Sequence, residues 1–237
     1  MKKVRVLFIH HSTGGNLIRE GHLRIELRKL NPSIEFWDHN YNLFPPFSRQ
    51  LASFTHLRGL SDASGGYTGT DYNITVSNNS PKEYADIFGR DPSDPTLKAI
   101  LSYDVIAFKN CYPTTRISSD EQLIEDITYY TKIKNSLKRF PDKQFILVTP
   151  PPARKETTNA DQALRARKLV STLNSLMFTH DTRNLHIFDF FNLLTDENGY
   201  LKKEYCRILP WDSHPNKKAN QTIAPIFAEY INQIKCT

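Results

Sequence analysis

Three short stretches of this chain carry residues with chemistry to offer. IHHSTGGNL, Ile9 to Leu17, sets Ser12 behind two histidines and ahead of two glycines. KNCYP, Lys109 to Pro113, contains Asn110, and PWDSHPN, Pro210 to Asn216, contains Asp212 and His214. A serine hydroxyl is a poor nucleophile until a base takes its proton. Histidine, with an unperturbed pKa of about 6.5, suits that task. An aspartate nearby can hold the imidazole in the right tautomer, so Asp212 is matched to His214. The side-chain NH2 of Asn110 and the backbone N–H of Ser12 can donate to a developing oxyanion. Together these residues suit nucleophilic attack on an acyl carbon. Taken singly, each has a plainer reading: Ser12 as a helix N-cap, Asn110 and Asp212 as turn residues, His214 as a surface loop residue. Only their joint placement separates the two readings.

Placement follows from the elements between them. Val4 to Ile9, Ile34 to Trp37, Val105 to Phe108, Phe145 to Val148 and Leu185 to Phe188 are short apolar runs without strict polar alternation. Strands buried on both faces of a parallel sheet read this way. Helical stripes alternate with them: Leu23, Leu27 and Leu30; Leu123, Ile127, Tyr130, Ile133 and Leu137; Ala163, Ala166, Val170, Leu173 and Met177; Ile223, Phe227, Tyr230 and Ile234. SDEQ, Ser119 to Gln122, has the capping-box pattern, and Pro225 is expected near the first turn of the last helix. The alternation predicts an α/β fold, a three-layer α/β/α sandwich with a flavodoxin-like, five-stranded parallel sheet. One domain, 1–237, is expected, with a long loop insertion at about 39–80. Ligands of open α/β sheets bind at the carboxyl ends of the strands, near the switch in strand order. Ser12 follows the first strand, Asn110 the third, and His214 approaches the last helix. They are expected on one rim.

Composition narrows the classes. Of 237 residues, 39% are hydrophobic and 24% charged, which is ordinary globular composition. No apolar run approaches the length of a membrane span. The lysines at the N-terminus precede only a short apolar run, without the h-region or cleavage site of a signal peptide. A cytoplasmic location is the default expectation, with secretion left open; Asn73, Asn78 and Asn220 sit in acceptor patterns that matter only if the protein is secreted. Cys111, Cys206 and Cys236 have no CxxC spacing, so neither a disulfide framework nor a zinc cluster is expected. The net charge of +6 is spread out, and RARK, Arg165 to Lys168, reads as a solvated helix face rather than a nucleic-acid patch. His10 and His11 with Asp212 and His214 could bind a metal, but adjacent histidines seldom supply two ligands to one ion. No metal and no cofactor are expected. One of the pair should line the pocket and the other pack behind the sheet.

The ordered set resembles the four blocks of the SGNH (GDSL-like) hydrolases: Ser12 after strand one, a glycine in the next long loop, Asn110 after strand three, and the late DSHPN. HHSTGG, FKNCYP and TPPP also look like a bacterial-type subgroup of that family. The resemblance covers essentially the whole chain. It implies Ser12 as nucleophile, His214 as base, and an oxyanion hole of Ser12 N–H, a loop glycine and Asn110. In SGGYTG, Gly69 is preferred for the glycine, then Gly66. His11, Tyr112 and Trp211 are the candidate substrate contacts. Two departures stand out. The usual Gly-Asp-Ser is His10-His11-Ser12, and the usual DxxH is Asp212-Ser213-His214. If Asp212 does not orient His214, a backbone carbonyl or Asp189 would. The implied activity is a serine esterase acting on short-chain, acetyl-type esters, carbohydrate esters among them. Tyr67, Tyr72 and Trp37 are then candidate stacking surfaces for sugar, or else packing residues. A lipid or thioester hydrolase, an O-acyltransferase and a non-catalytic binding domain remain alternatives.

Overall fold

Val6 and Phe8 face one side of the first strand, Leu7 and Ile9 the other, and all four are fully buried. A strand with two apolar faces needs helices on both sides. The computed structural model, which describes residues 3–43, 59–177 and 183–234, has that architecture. Strand β1 (Val4–His10) is central, and β2 (Ile34–Asn40) and β6 (Val105–Phe108) flank it in parallel. β7 (Gln144–Val148) and β8 (Leu185–Phe188) continue the parallel sheet beyond β6.

The five expected strands are present, but the sheet has six. A short strand β4 (Gly59–Ser61) pairs antiparallel with β2 and gives the order β4-β2-β1-β6-β7-β8. Two further short strands, β3 (Asn42–Leu43) and β5 (Thr75–Val76), pair in parallel. The described part of the expected insertion is therefore not all loop. Strands this short hold too few side chains to show a period. The rest of it, 44–58, lies outside the described residues.

Helices α1 (Thr13–Arg19), α2 (Leu23–Leu30) and α8 (Lys217–Gln233) cover one face, where Leu17, Leu23, Leu27, Ile223 and Phe227 meet Val6, Phe8 and Phe36. The other face carries α3 (Lys82–Gly89), α4 (Pro95–Ile100), α5 (Asp120–Leu137) and α6 (Ala160–Met177). A single turn, α7 (Phe190–Leu194), follows β8. RARK lies within α6.

Three local expectations change. Leu30, the last residue of α2, is exposed rather than buried, and Leu23 and Leu27 alone carry the stripe inward. Pro225 lies in the interior of α8, not its first turn. It lacks the N–H that would bond the Gln221 carbonyl, and burial of Ile223, Phe227 and Ile231 on the sheet offsets that loss. At the start of α5, Ser119 accepts the Gln122 N–H as a capping box requires, but Gln122 reaches back to Ser118 rather than Ser119.

Asp126, buried on α5, leaves Oδ2 without a hydrogen-bond partner. Burial, with a smaller push from Glu125, raises its carboxyl to about 7. A carboxyl raised above its unfolded value of about 3.9 weakens folding as pH climbs from that value through about 7. The full penalty, at most about 4 kcal/mol, is then present above pH about 7. Urea melts of wild type and Asp126→Asn should therefore nearly coincide at pH 4 and separate at pH 8, with the variant the more stable.

Candidate active site

The chain leaves β1, moves outward to β2, and returns across β1 to β6. The switch in strand order thus falls between β1 and β6, where ligands of such sheets bind. Ser12 follows β1 and Cys111 follows β6, and the Ser12 Oγ and Cys111 Sγ are hydrogen-bonded at 2.8 Å. Ser12 stands at the N-cap position of α1, but its side chain makes no capping bond. Its φ of +32° lies in the left-handed region, which a non-glycine residue enters at a cost. Here the strand turns sharply into the helix and the hydroxyl faces β6.

The bulk that replaces glycine at this turn is absorbed two residues on. A Cβ on Gly14 would lie 2.4 Å from the Cβ of His10, so α1 can cross the end of β1 only with glycine at 14. His10 packs inward, and its Nε2 donates to Asp38 Oδ2 at 3.1 Å. Arg24 pairs with the other oxygen of Asp38. Burial pushes the pKa of His10 below the ordinary histidine value, against the opposing pull of Asp38. His11 turns the other way: its Nδ1 donates to Asn40 Oδ1 at 2.8 Å and its ring lies against Tyr41. Burial brings its pKa down to about 4, with His10, Lys109 and His214 also opposing its protonation. One histidine packs behind the site and the other borders it.

Asp212 and His214 form a compact pair. Asp212 Oδ1 accepts the backbone N–H of His214 at 2.9 Å and its ring Nδ1–H at 2.5 Å. Aspartate commonly folds onto the N–H two residues ahead. In this chain that same turn carries the imidazole to the carboxylate. The one-residue shortening to DxH is thereby accommodated, and Nε2 is left as the free lone pair. Burial alone would raise the Asp212 carboxyl, but the His214 backbone N–H and ring, with Arg207, hold it below its usual value. Asp189 is occupied elsewhere, by the Asn192 N–H, Thr149 and Asn174.

The loop is tied down around the pair. Ser213 is buried, bonded to Thr157 and to the backbone N–H of Arg154. The Arg154 guanidinium donates to the carbonyls of Arg207 and Leu209. Arg207 itself grips both oxygens of Glu20. Tyr112 sets its ring edge-on to that of His214, with centroids 5.1 Å apart. Two consecutive residues thus contact the two halves of the site, Cys111 on Ser12 and Tyr112 on His214. Trp211 is 67% exposed on the same loop, next to the exposed Leu209 and Ile208.

The oxyanion residues expected from sequence are not gathered here. Asn110 is buried, and its NH2 donates to the carbonyls of Ser77 at 3.2 Å and Ser80 at 3.1 Å, while its oxygen accepts from Tyr130. Both amide hydrogens are spent on pinning the 77–80 loop. The Gly66 N–H is donated to Asp62. Gly69 lies in the segment that returns along the outer side of β4, where Thr68 and Thr70 bond Leu60. Two strands, β2 and β4, separate it from β1. Of the expected donors, the Ser12 N–H alone lies beside the Ser12 hydroxyl. Trp37 and Tyr72 pack beside Tyr103, away from the strand ends, while Tyr67 is exposed at the β4 edge. Among the described residues no group of His, Cys, Asp and Glu side chains could hold a metal ion.

Three residues at the site escaped the sequence reading: Cys111, Thr13 and Lys109. Lys109 is fully buried, and its Nζ donates to Thr13 Oγ1 at 2.6 Å. A lysine closing an apolar strand, two residues before a cysteine, was the available signal.

The fold has counterparts among solved structures. A GDSL-like lipase from Bacteroides thetaiotaomicron superposes with a TM-score of 0.55 at 11% identity, over 97% of this chain and 88% of that one. The fold is that of the SGNH hydrolases. A carbohydrate acetylesterase from Sinorhizobium meliloti matches over 97% of this chain and 99% of its own, with a TM-score of 0.55 at 9% identity. A carbohydrate esterase family 3 protein from Talaromyces cellulolyticus matches over 99% and 100%, with a TM-score of 0.50 at 15% identity. No protein-family model matches the chain, and no curated protein matches it in sequence. On the SGNH hydrolase fold, the turn after β1 is where the packing at Gly14 matters most. Gly14→Ala should force α1 off His10 and destabilise the protein by about 1–3 kcal/mol, the usual cost of overpacking. A lowered thermal midpoint with unchanged far-ultraviolet circular dichroism is the expected result.

Proposed function

We propose that this chain is a serine esterase with Ser12 as nucleophile, His214 as general base and Asp212 as the group that fixes the imidazole. The observation that carries the reading is the Asp212–His214 pair, its Nε2 free, held through Tyr112 and Cys111 on the same rim as Ser12. The Ser12 Oγ attacks the ester carbonyl while His214 Nε2 takes its proton. The oxyanion forms beside the Ser12 N–H. His214 then returns the proton to the leaving alcohol, and water, deprotonated by the same nitrogen, releases the acid. In the resting structure Ser12 Oγ is hydrogen-bonded to Cys111 Sγ, and the Ser12–His214 hydrogen bond forms on the way to attack.

Two of the structural neighbours are carbohydrate esterases, which supports a short acyl group on a sugar as the substrate class. His11, Tyr112 and Trp211 border the site and are proposed to contact the substrate. Among the described residues, no helix is long and apolar enough to cross a membrane.

The test is hydrolysis of p-nitrophenyl acetate, with folding followed by circular dichroism. Ser12→Ala should fold normally and lose at least about 10³-fold in kcat/KM. Asp212→Asn should lose about 10²- to 10⁴-fold, because the amide favours the wrong tautomer of His214. Equal rates in wild type and Ser12→Ala, or an inactive wild type, would instead favour a non-catalytic binding domain.

A further inference from the structure

Attack by Ser12 and proton transfer by His214 leave the nearest neighbour of Ser12 unused. Cys111 Sγ lies 2.8 Å from Ser12 Oγ and 3.3 Å from Thr13 Oγ1. Thr13 Oγ1 in turn accepts from Lys109 Nζ. No carboxylate pairs with Lys109 among the described residues. The four groups form one buried line from β6 to the nucleophile.

Burial lowers the Lys109 pKa, with Cys111 opposing, and Nζ is the donor to Thr13 Oγ1. Thr13 must therefore accept from Lys109, and its own hydrogen is turned toward the sulfur. The sulfur accepts from Thr13, and its one hydrogen has two acceptors in reach, Ser12 Oγ at 2.8 Å and the His11 carbonyl at 3.7 Å; the shorter contact assigns it to Ser12. An Oγ that accepts from sulfur keeps its own hydrogen for the lone pair of His214. We propose that Cys111, with Thr13 and Lys109 behind it, is a positioning residue that sets the direction of the Ser12 hydroxyl toward its base. This rests on Ser12 being the nucleophile.

Loss of the thiol proton reverses the last link. A thiolate takes the Ser12 hydrogen and holds it away from His214. Reactivity of Ser12 is thus present while Cys111 is protonated and lost as pH rises through its pKa. Around the sulfur stand Ser12, Thr13 and the His11 carbonyl from the β1–α1 turn, Lys109 from β6, Tyr41 after β2, Tyr84 on α3, and adjoining Tyr112. Burial raises the thiol, and Lys109 with the Ser12 and Thr13 hydrogen bonds outweighs it, so the pKa falls below the ordinary value.

The experiment is the rate of phosphonylation by a fluorophosphonate, read by mass spectrometry from pH 5 to 10. Ser12 Oγ forms a bond to phosphorus, fluoride leaves, and the serine proton passes to the base. Wild type should label at Ser12 with an alkaline decline. Cys111→Ser keeps a donor that does not ionise, so it should label at a similar rate at pH 7 and lack the decline. Cys111→Ala and Lys109→Met should each label about tenfold more slowly at pH 7, the scale of one lost hydrogen bond. Cys111→Ala labelling at the wild-type rate, with the wild-type pH profile, would overturn this proposal and leave the esterase reading intact. Failure of wild type to label at Ser12 would overturn both.

Discussion

The contact on which the site depends is between Gly14 and His10. A helix can cross the end of β1 this closely only where one partner has no side chain. Its closeness sends the backbone through a left-handed residue at Ser12 and turns that hydroxyl toward β6. It also commits His10 to the interior, where its Nε2 donates to the Asp38–Arg24 pair and its Nδ1 has no partner. A buried ion pair of this kind adds little net stability when its desolvation is counted. Its evident consequence is geometric, since it ties β1, β2 and α2 together beneath the turn.

The remaining half of the site is organised from the end of β6. Cys111 and Tyr112 are consecutive, yet one meets Ser12 and the other His214. The two residues therefore transmit the register of a central strand to both groups. Asn110, just before them, faces inward and anchors the 77–80 loop instead of facing a substrate. An amide with both hydrogens bound to backbone carbonyls cannot serve as a preorganised donor without releasing that loop.

Much of this was legible in the sequence, for physical reasons. Five strands buried on both faces leave unbroken apolar runs, and helices packed on them leave stripes of period 3.6, so the architecture, the strand-end positions of Ser12 and Asn110 and the place of His214 before the last helix could be read directly. Strands of two or three residues, such as β3, β4 and β5, left no pattern. Hydrogen-bond direction was also invisible. Asn110 has the residue type and the strand-end position expected of an oxyanion donor, but Ser77 and Ser80 take its hydrogens through a loop whose path no spacing encodes. Gly66 fails for a more local reason, since Asp62 lies four residues upstream and collects the turn's N–H groups. That clustering of Asp, Ser and Gly was a signal for a self-contained turn rather than for a ligand site.

The shortened Asp-Ser-His motif shows why a departure in spacing need not be a departure in geometry. With one intervening residue, the carboxylate first captures the backbone N–H of the histidine, and the ring nitrogen follows onto the same oxygen. One acceptor atom thus fixes both the turn and the tautomer, and the second oxygen is left facing Arg207 at 3.9 Å. The residue between them cannot be a passive spacer in such a turn. Ser213 is buried, and its hydroxyl joins Thr157 and the Arg154 N–H, so the loop is held from beneath at the point where it would otherwise pivot. Orientation of the imidazole is local, set within three residues. Its position is tertiary, set by Arg154 and Thr157 in the segment after β7. The two are fixed by separate sets of contacts, one within the Asp-Ser-His turn and one beneath it.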